Sequence, residues 1–196
     1  MITGSAQAEG NTGVHQDQQP LTRWLGWLGW IAVVGYISTI FLANWAIETY
    51  GFVSVGFGLV APAGVYFAGL AFTFRDLTHE ALGRRWVIGA ILVGAACSYV
   101  VSPTFAVASA VAFLVSEAAD MAVYTPLRGR SWLGAVTLSN TVGLVADSAL
   151  FLWLAFGSLA FIEGLVVGKA WMTLLAVAIL AAIRYTVRLQ RQVVVR

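Results

Sequence analysis

Charge is what this sequence has least of. Only 10% of its 196 residues are Asp, Glu, Lys or Arg, whereas a soluble domain carries about 25%. Cysteine is nearly absent. A lone Cys97 excludes an internal disulfide, and its apolar surroundings mark it as a small buried hydrophobe. There are two histidines, and neither belongs to an HExxH pattern, so no metal-ligand set is expected. No GxxxxGK[ST] loop is present to cradle the phosphates of ATP. No Ser–His or GxGD-like arrangement supports an intramembrane enzyme, so the chain is read as a non-enzyme that needs no cofactor. Basic patches interleaved with aromatics are missing too, which argues against direct nucleic-acid binding. The opening MITGSAQAEGNTGVHQDQQP has no positive segment leading into a short apolar stretch, so it is not a signal peptide. Its polar composition predicts a disordered tail over residues 1–22.

What remains is 60% hydrophobic. Charge-free runs cover Trp24–Ile47, Thr49–Phe74 and Trp86–Ser116, each longer than the roughly 20 residues that cross a bilayer as helix. Expected spans are Trp24–Asn44, Val55–Phe74, Trp86–Val101, Pro103–Thr125, Leu133–Phe156 and Gly164–Ile183. Ser102-Pro103 divides the third from the fourth, because proline ends one helix or opens the next. The fold class is therefore all-α: a polytopic membrane protein, a compact bundle of six transmembrane helices over residues 23–189. A short tail, 190–196, follows. With six spans, ten of the eleven Lys and Arg residues fall on one side and only Lys169 on the other. The positive-inside rule then makes both termini cytoplasmic, in the inner membrane of the cell. Lys169, near the start of span six, is expected to snorkel to the surface.

Three acids stand within apolar runs: Glu117, Asp120 and Asp147. A charge there is costly, so such residues usually face a cavity or each other. Glu117 and Asp120 are three apart and share a helix face, which Tyr124 extends. Asn140 and Asp147, seven apart in SNTVGLVADS, form a second polar stripe. If spans four and five face each other, these five residues line one pocket. No basic residue lies in the middle of those two helices, so the pocket favours a neutral or cationic ligand rich in N–H groups. A guanine-like edge fits, since one carboxylate can accept from its ring N–H and amino group together. A second cluster closes span two in FRDLTHEALGRR. Arg75 and His79 are four apart, as are Asp76 and Glu80, and they suit a gate or access site as well as a surface ion-pair network.

Three segments carry a family likeness: FRDLTHEALGRR, VASAVAFLVSEAADMAVYTPLR and LSNTVGLVADSALFLWLAF. They resemble the VUT family, the vitamin uptake transporters that include transporters of queuosine precursors. The likeness covers about Tyr36 to Leu189. Its most specific part is Asn140, Asp147 seven later and Phe151 four after that. One departure is THEALGRR, with Leu82 before Gly83 where family members carry Tyr-Gly. The resemblance implies a six-helix inner-membrane importer of 7-cyano-7-deazaguanine or its aminomethyl relative. It implies that Arg75, Asp76, Glu80, Glu117, Asp120, Asn140 and Asp147 are family-like positions. In size and helix number it is also similar to the substrate-capture subunits of energy-coupling-factor transporters. The alternatives are therefore a capture subunit for another vitamin or nucleobase, or a non-transporting helical assembly protein. Expected partners are a small deazapurine, the lipid bilayer, and either a second copy of the chain or a separate energising module. The topology has a direct test. Arg128→Cys in a Cys97→Ser background should react with an impermeant thiol reagent only from the cytoplasmic side, and reaction in intact cells would overturn the six-span arrangement.

Overall fold

The computed structural model describes residues 19–127 and 129–194. Six helices and one hairpin make up the fold: α1 Gln19–Tyr50, β1 Phe52–Gly56, β2 Leu59–Pro62, α2 Val65–Leu82, α3 Arg84–Tyr99, α4 Pro103–Leu127, α5 Trp132–Phe156 and α6 Ile162–Val194. The helix count matches the six expected. Among the described residues, three segments are long and apolar enough to cross a membrane: Trp27–Tyr50, Pro103–Leu127 and Thr137–Phe156. The expected tail lies outside the described residues up to residue 18, and α1 takes in residues 19–22. At the other end α6 continues to Val194.

The punctuation is local chemistry. Pro103 opens α4, where a missing N–H costs nothing. Ser131 caps α5, its Oγ accepting from the Gly134 N–H at 3.2 Å, one of the donors a helix start leaves unsatisfied. Gly157, at φ 64°, closes α5 in the left-handed region.

The second expected span is corrected. Its first half is not helix but belongs to an antiparallel hairpin and the turn after it, the hairpin pairing Phe52 with Pro62, Val53 with Ala61 and Ser54 with Val60. The valines of FVSVGFGLV alternate with smaller residues and favour a pleated strand. Gly56 and Gly58 sit at φ 97° and 74° around Phe57, supplying the turn. A hydropathy window sees only that these residues are apolar, which strand and helix share. The helix that follows then runs on to Leu82, through FRDLTHE. Cys97 is also corrected: it lies on an exposed face of α3 rather than buried, where lipid in place of protein can cover a small thiol.

Two apolar clusters fill the interior. Towards the hairpin end, Ile47, Val65, Ala112, Leu152 and Leu165 pack together. Towards the end carrying the α2–α3 and α4–α5 links, Tyr36, Ile40, Ala71, Ile91 and Phe113 do the same. The strongest pairings are α4 with α5 and α1 with α2; α6 lies on α2 and on β2. Direct packing of α5 on α6, and of α1 on α4, is sparse. Small residues allow the closest approaches, as is usual between membrane helices. A Cβ on Gly69 would come within 2.6 Å of the Met172 Cβ, and one on Gly164 within 2.1 Å of the Val60 carbonyl oxygen. Gly164→Ala should therefore cost about 1–3 kcal/mol through overpacking. Gly89→Ala, where a Cβ meets nothing within 4 Å, should be neutral or slightly stabilising. Thermal unfolding of the purified protein in detergent compares the two.

Candidate functional site

The arrangement is easiest to build from α4. The i, i+3, i+7 spacing of Glu117, Asp120 and Tyr124 does put all three on one wall of a cavity of about 420 Å³. Ser139 and Asn140, in the first half of α5, form the next wall. The third comes from α2, which presents Arg75, Asp76, His79 and Glu80. The residues expected to bind a ligand and those expected to gate it thus share one cavity. The continuation of α2 through residue 82, in place of a span ending at Phe74, is what carries the second group into it.

Arg75 organises this cavity. It is 6% exposed, yet its guanidinium is well met. Nε and Nη2 donate to Asp76 Oδ1 at 3.0 and 2.8 Å, and Nη2 reaches Asn140 Oδ1 at 3.4 Å. Nη1 stands 3.7 Å from Glu117 Oε2, an ion pair slightly longer than a hydrogen bond. The Phe72 ring lies under the guanidinium, 5.0 Å from its carbon, within cation–π range. No basic residue lies within α4 or α5, and the cation that meets these acids, Arg75, comes from α2. Asp120 is differently placed. Its Oδ1 is buried and has no hydrogen-bond partner, so it is an acceptor with its capacity unspent.

Asp147 is a correction. It shares a stripe of α5 with Asn140, but seven residues of helix separate the two by about 10 Å. It does not line the cavity of Arg75 and Glu117. It is 3% exposed and forms a buried ion pair with Lys169 of α6, whose Nζ also donates to Ser148 Oγ at 2.9 Å. Lys169 is therefore not at the surface: at 1% exposure it is among the most enclosed side chains. Its ammonium lies 5.6 Å from the same Phe72 ring that Arg75 covers. Snorkelling follows from a helix end facing lipid, and a carboxylate across the α5–α6 contact overrides it. The signal was available in principle, since one cation and one unmatched acid stood at similar depth in adjacent helices.

Among the described residues no group of three or more His, Cys, Asp or Glu could hold a metal ion. The chemistry on offer is recognition: carboxylates that accept, a guanidinium that donates, and an amide that does either.

With this geometry in view, known proteins add one observation. Residues 99–188 match the model of a family described as "Putative vitamin uptake transporter". The matched stretch is a little under half the chain. It includes α4, α5 and most of α6, hence Glu117, Asp120, Asn140, Asp147 and Lys169; Arg75 lies outside it. It supports the resemblance to vitamin uptake transporters, a family of transporters and not of enzymes. Together with the apolar helices it describes a membrane protein. No curated protein and no solved structure matches the chain.

The Arg75–Glu117 pair has an energetic signature. Both side chains are more than nine-tenths buried, so removing one strands the other. Arg75→Met should cost about 3–5 kcal/mol. Arg75→Met combined with Glu117→Gln should recover a substantial part of that loss. Thermal unfolding in detergent reads the cycle, and purely additive losses would deny the coupling.

Proposed function

We propose that the chain imports a queuosine precursor, 7-cyano-7-deazaguanine or 7-aminomethyl-7-deazaguanine, into the cytoplasm. In this reading all six helices cross the inner membrane, both termini face the cytoplasm, and the cavity between α2, α4 and α5 is the binding site on that side. The observation that carries it is the pairing of a partnerless buried acceptor, Asp120 Oδ1, with the Arg75–Glu117 pair in one cavity. A deazaguanine edge presents a ring N–H beside an amino group, and a carbonyl beside the ring N–H. A carboxylate of Asp120 or Glu117 can take the two N–H donors together, and Arg75 can donate to the carbonyl. Asn140, which accepts from Arg75 and can donate through its amide nitrogen, and Tyr124 complete a polar rim. A volume of about 420 Å³ falls among small-molecule sites, which run from about 300 to 1,000 Å³.

The arginine refines the ligand class read from sequence. Acids alone would suit any cation. Acids with a donor between them suit a neutral, planar amide-like edge, and a ligand with no carbonyl would leave Arg75 with only protein partners. Specificity of this kind can be large, because a site built to hydrogen-bond a group is left with buried unpaired atoms by an analogue that lacks it.

Cells unable to make the precursor provide the test. Expression of the chain, with either deazaguanine supplied outside at limiting concentration, should restore modified tRNA. Glu117→Gln and Asp120→Asn should each reduce that rescue by about tenfold or more while inserting normally, since a lost charge-assisted bond is worth about 1.5–3 kcal/mol. Absence of rescue by correctly inserted protein overturns the substrate.

A further inference from the structure

Among the described residues, polar side-chain contacts help to tie α4 and α5 to α1, α2 and α6. Ser109 Oγ of α4 donates to Asn44 Oδ1 of α1 at 2.8 Å. Lys169 of α6 joins Asp147 and Ser148 of α5. Arg75 of α2 reaches Glu117 and Asn140. Apolar side chains meet there as well, Phe113 of α4 lying edge-on to Tyr36 of α1 and Phe72 of α2, while α4 packs on α5 and α3, and α2 on α1 and α6. A partly polar seam therefore separates the α4–α5 pair from α1 and α6, across which direct α5–α6 and α1–α4 packing is sparse, while α4 stays packed on α3.

Along this seam the two halves of the molecule differ. At the α2–α3 link end it is open, as the cavity of about 420 Å³. At the hairpin end it is shut. There Asn44, Ser109, Asp147 and Lys169 surround a space of only about 30 Å³ with Phe113 and Phe151, room for about one water molecule. Phe72 links the two levels, its ring centroid 5.0 Å from the Arg75 guanidinium carbon and 5.6 Å from the Lys169 ammonium. Two buried groups at these levels are unsatisfied: the Tyr36 hydroxyl and Asn44 Nδ2. The Asn44 side chain is fully buried, so one amide atom has given up water without gaining a bond, at a cost that a packed structural core would avoid.

We infer that Asn44, Ser109, Asp147 and Lys169 form a gate at the hairpin end of the bundle, closed in this structure, which parts when the α4–α5 pair moves away from α1 and α6. This rests on the transporter reading, in which a ligand must reach the Arg75–Glu117 cavity from the far face. The contacts suit that work. Each is a side-chain pair whose two halves lie on different helices, so separation breaks few bonds. The freed groups are polar, so water or a ligand with N–H and C=O groups can take the place of the lost partner. Small sliding of packed helices is a familiar form of such opening.

The test needs no substrate. In a Cys97→Ser background, Ala68→Cys places a thiol on the closed compartment and Glu80→Cys places one on the open cavity. Their reaction rates with a sulfonated maleimide are measured on purified protein in detergent. Lys169→Met should speed labelling at residue 68 by about tenfold or more and leave labelling at residue 80 unchanged. Because Lys169→Met strands Asp147, Lys169→Met with Asp147→Asn is run beside it, and a cooperative unfolding transition confirms the fold of each. Faster labelling at 68 in a folded double variant supports the gate. Labelling as slow as in the parent overturns it and makes the four residues fixed ties between helices. The outcome is separable from the substrate assignment: a gate that responds in a protein without deazaguanine uptake leaves the gate standing and removes the substrate, and uptake with unchanged labelling does the reverse.

Discussion

An ion buried among apolar helices is held only where an opposite charge and fixed donors replace its water. Among the described residues there are two such places, and both draw their halves from different helices. Arg75 of α2 meets Glu117 of α4, and Lys169 of α6 meets Asp147 of α5. Rotation of any one of these helices by a single residue, about 100°, would turn a charge away from its partner and towards lipid. The pairs thus select one rotational setting for four helices, which apolar side chains able to repack would leave less sharply defined. Phe72 lies against both cations, so the two sites share a wall.

Close backbone approach makes the second pair reachable. Gly69 lies against the main chain of Lys169, and Gly164 against the carbonyl of Val60. These contacts bring α6 onto α2 and the hairpin, so that Lys169 points inward between helices and its ammonium arrives at Asp147 instead of at the surface. The hairpin contributes from its own side. Tyr66 of α2 donates to the Ser54 carbonyl oxygen at 3.1 Å, fastening the first turn of α2 to β1. A segment of low helix preference at that point is therefore part of the wall around the closed end of the seam.

Much of the fold was readable along the chain, because apolar run length and proline positions act locally. Helices α3, α4 and α5 fall within two residues of the expected spans, set by Gly83, Pro103, Ser131 and Gly157. The hairpin was readable too, through β-branched alternation around Gly-Phe-Gly, but a composition window merges it with the helix that follows. In the site, the helical spacing of Glu117, Asp120 and Tyr124 predicted a shared face, and they share one. The same rule placed Asn140 and Asp147 on one stripe but said nothing of depth, and a stripe two turns long spans two separate compartments.

The residues by themselves determined that this chain prefers an apolar solvent, that it is chiefly helical, and that a few acids must find partners inside it. These follow from transfer energy and from backbone geometry, which depend on neighbours in sequence. Only the tertiary structure decided which partners. Arg75 and Lys169 look, in sequence, like a boundary arginine and a lysine free to snorkel. Packing alone brings them against Glu117 and Asp147, because electrostatic pairing acts through distance in space and helix packing sets that distance. The division of one expected pocket into an open cavity and a closed compartment has the same origin.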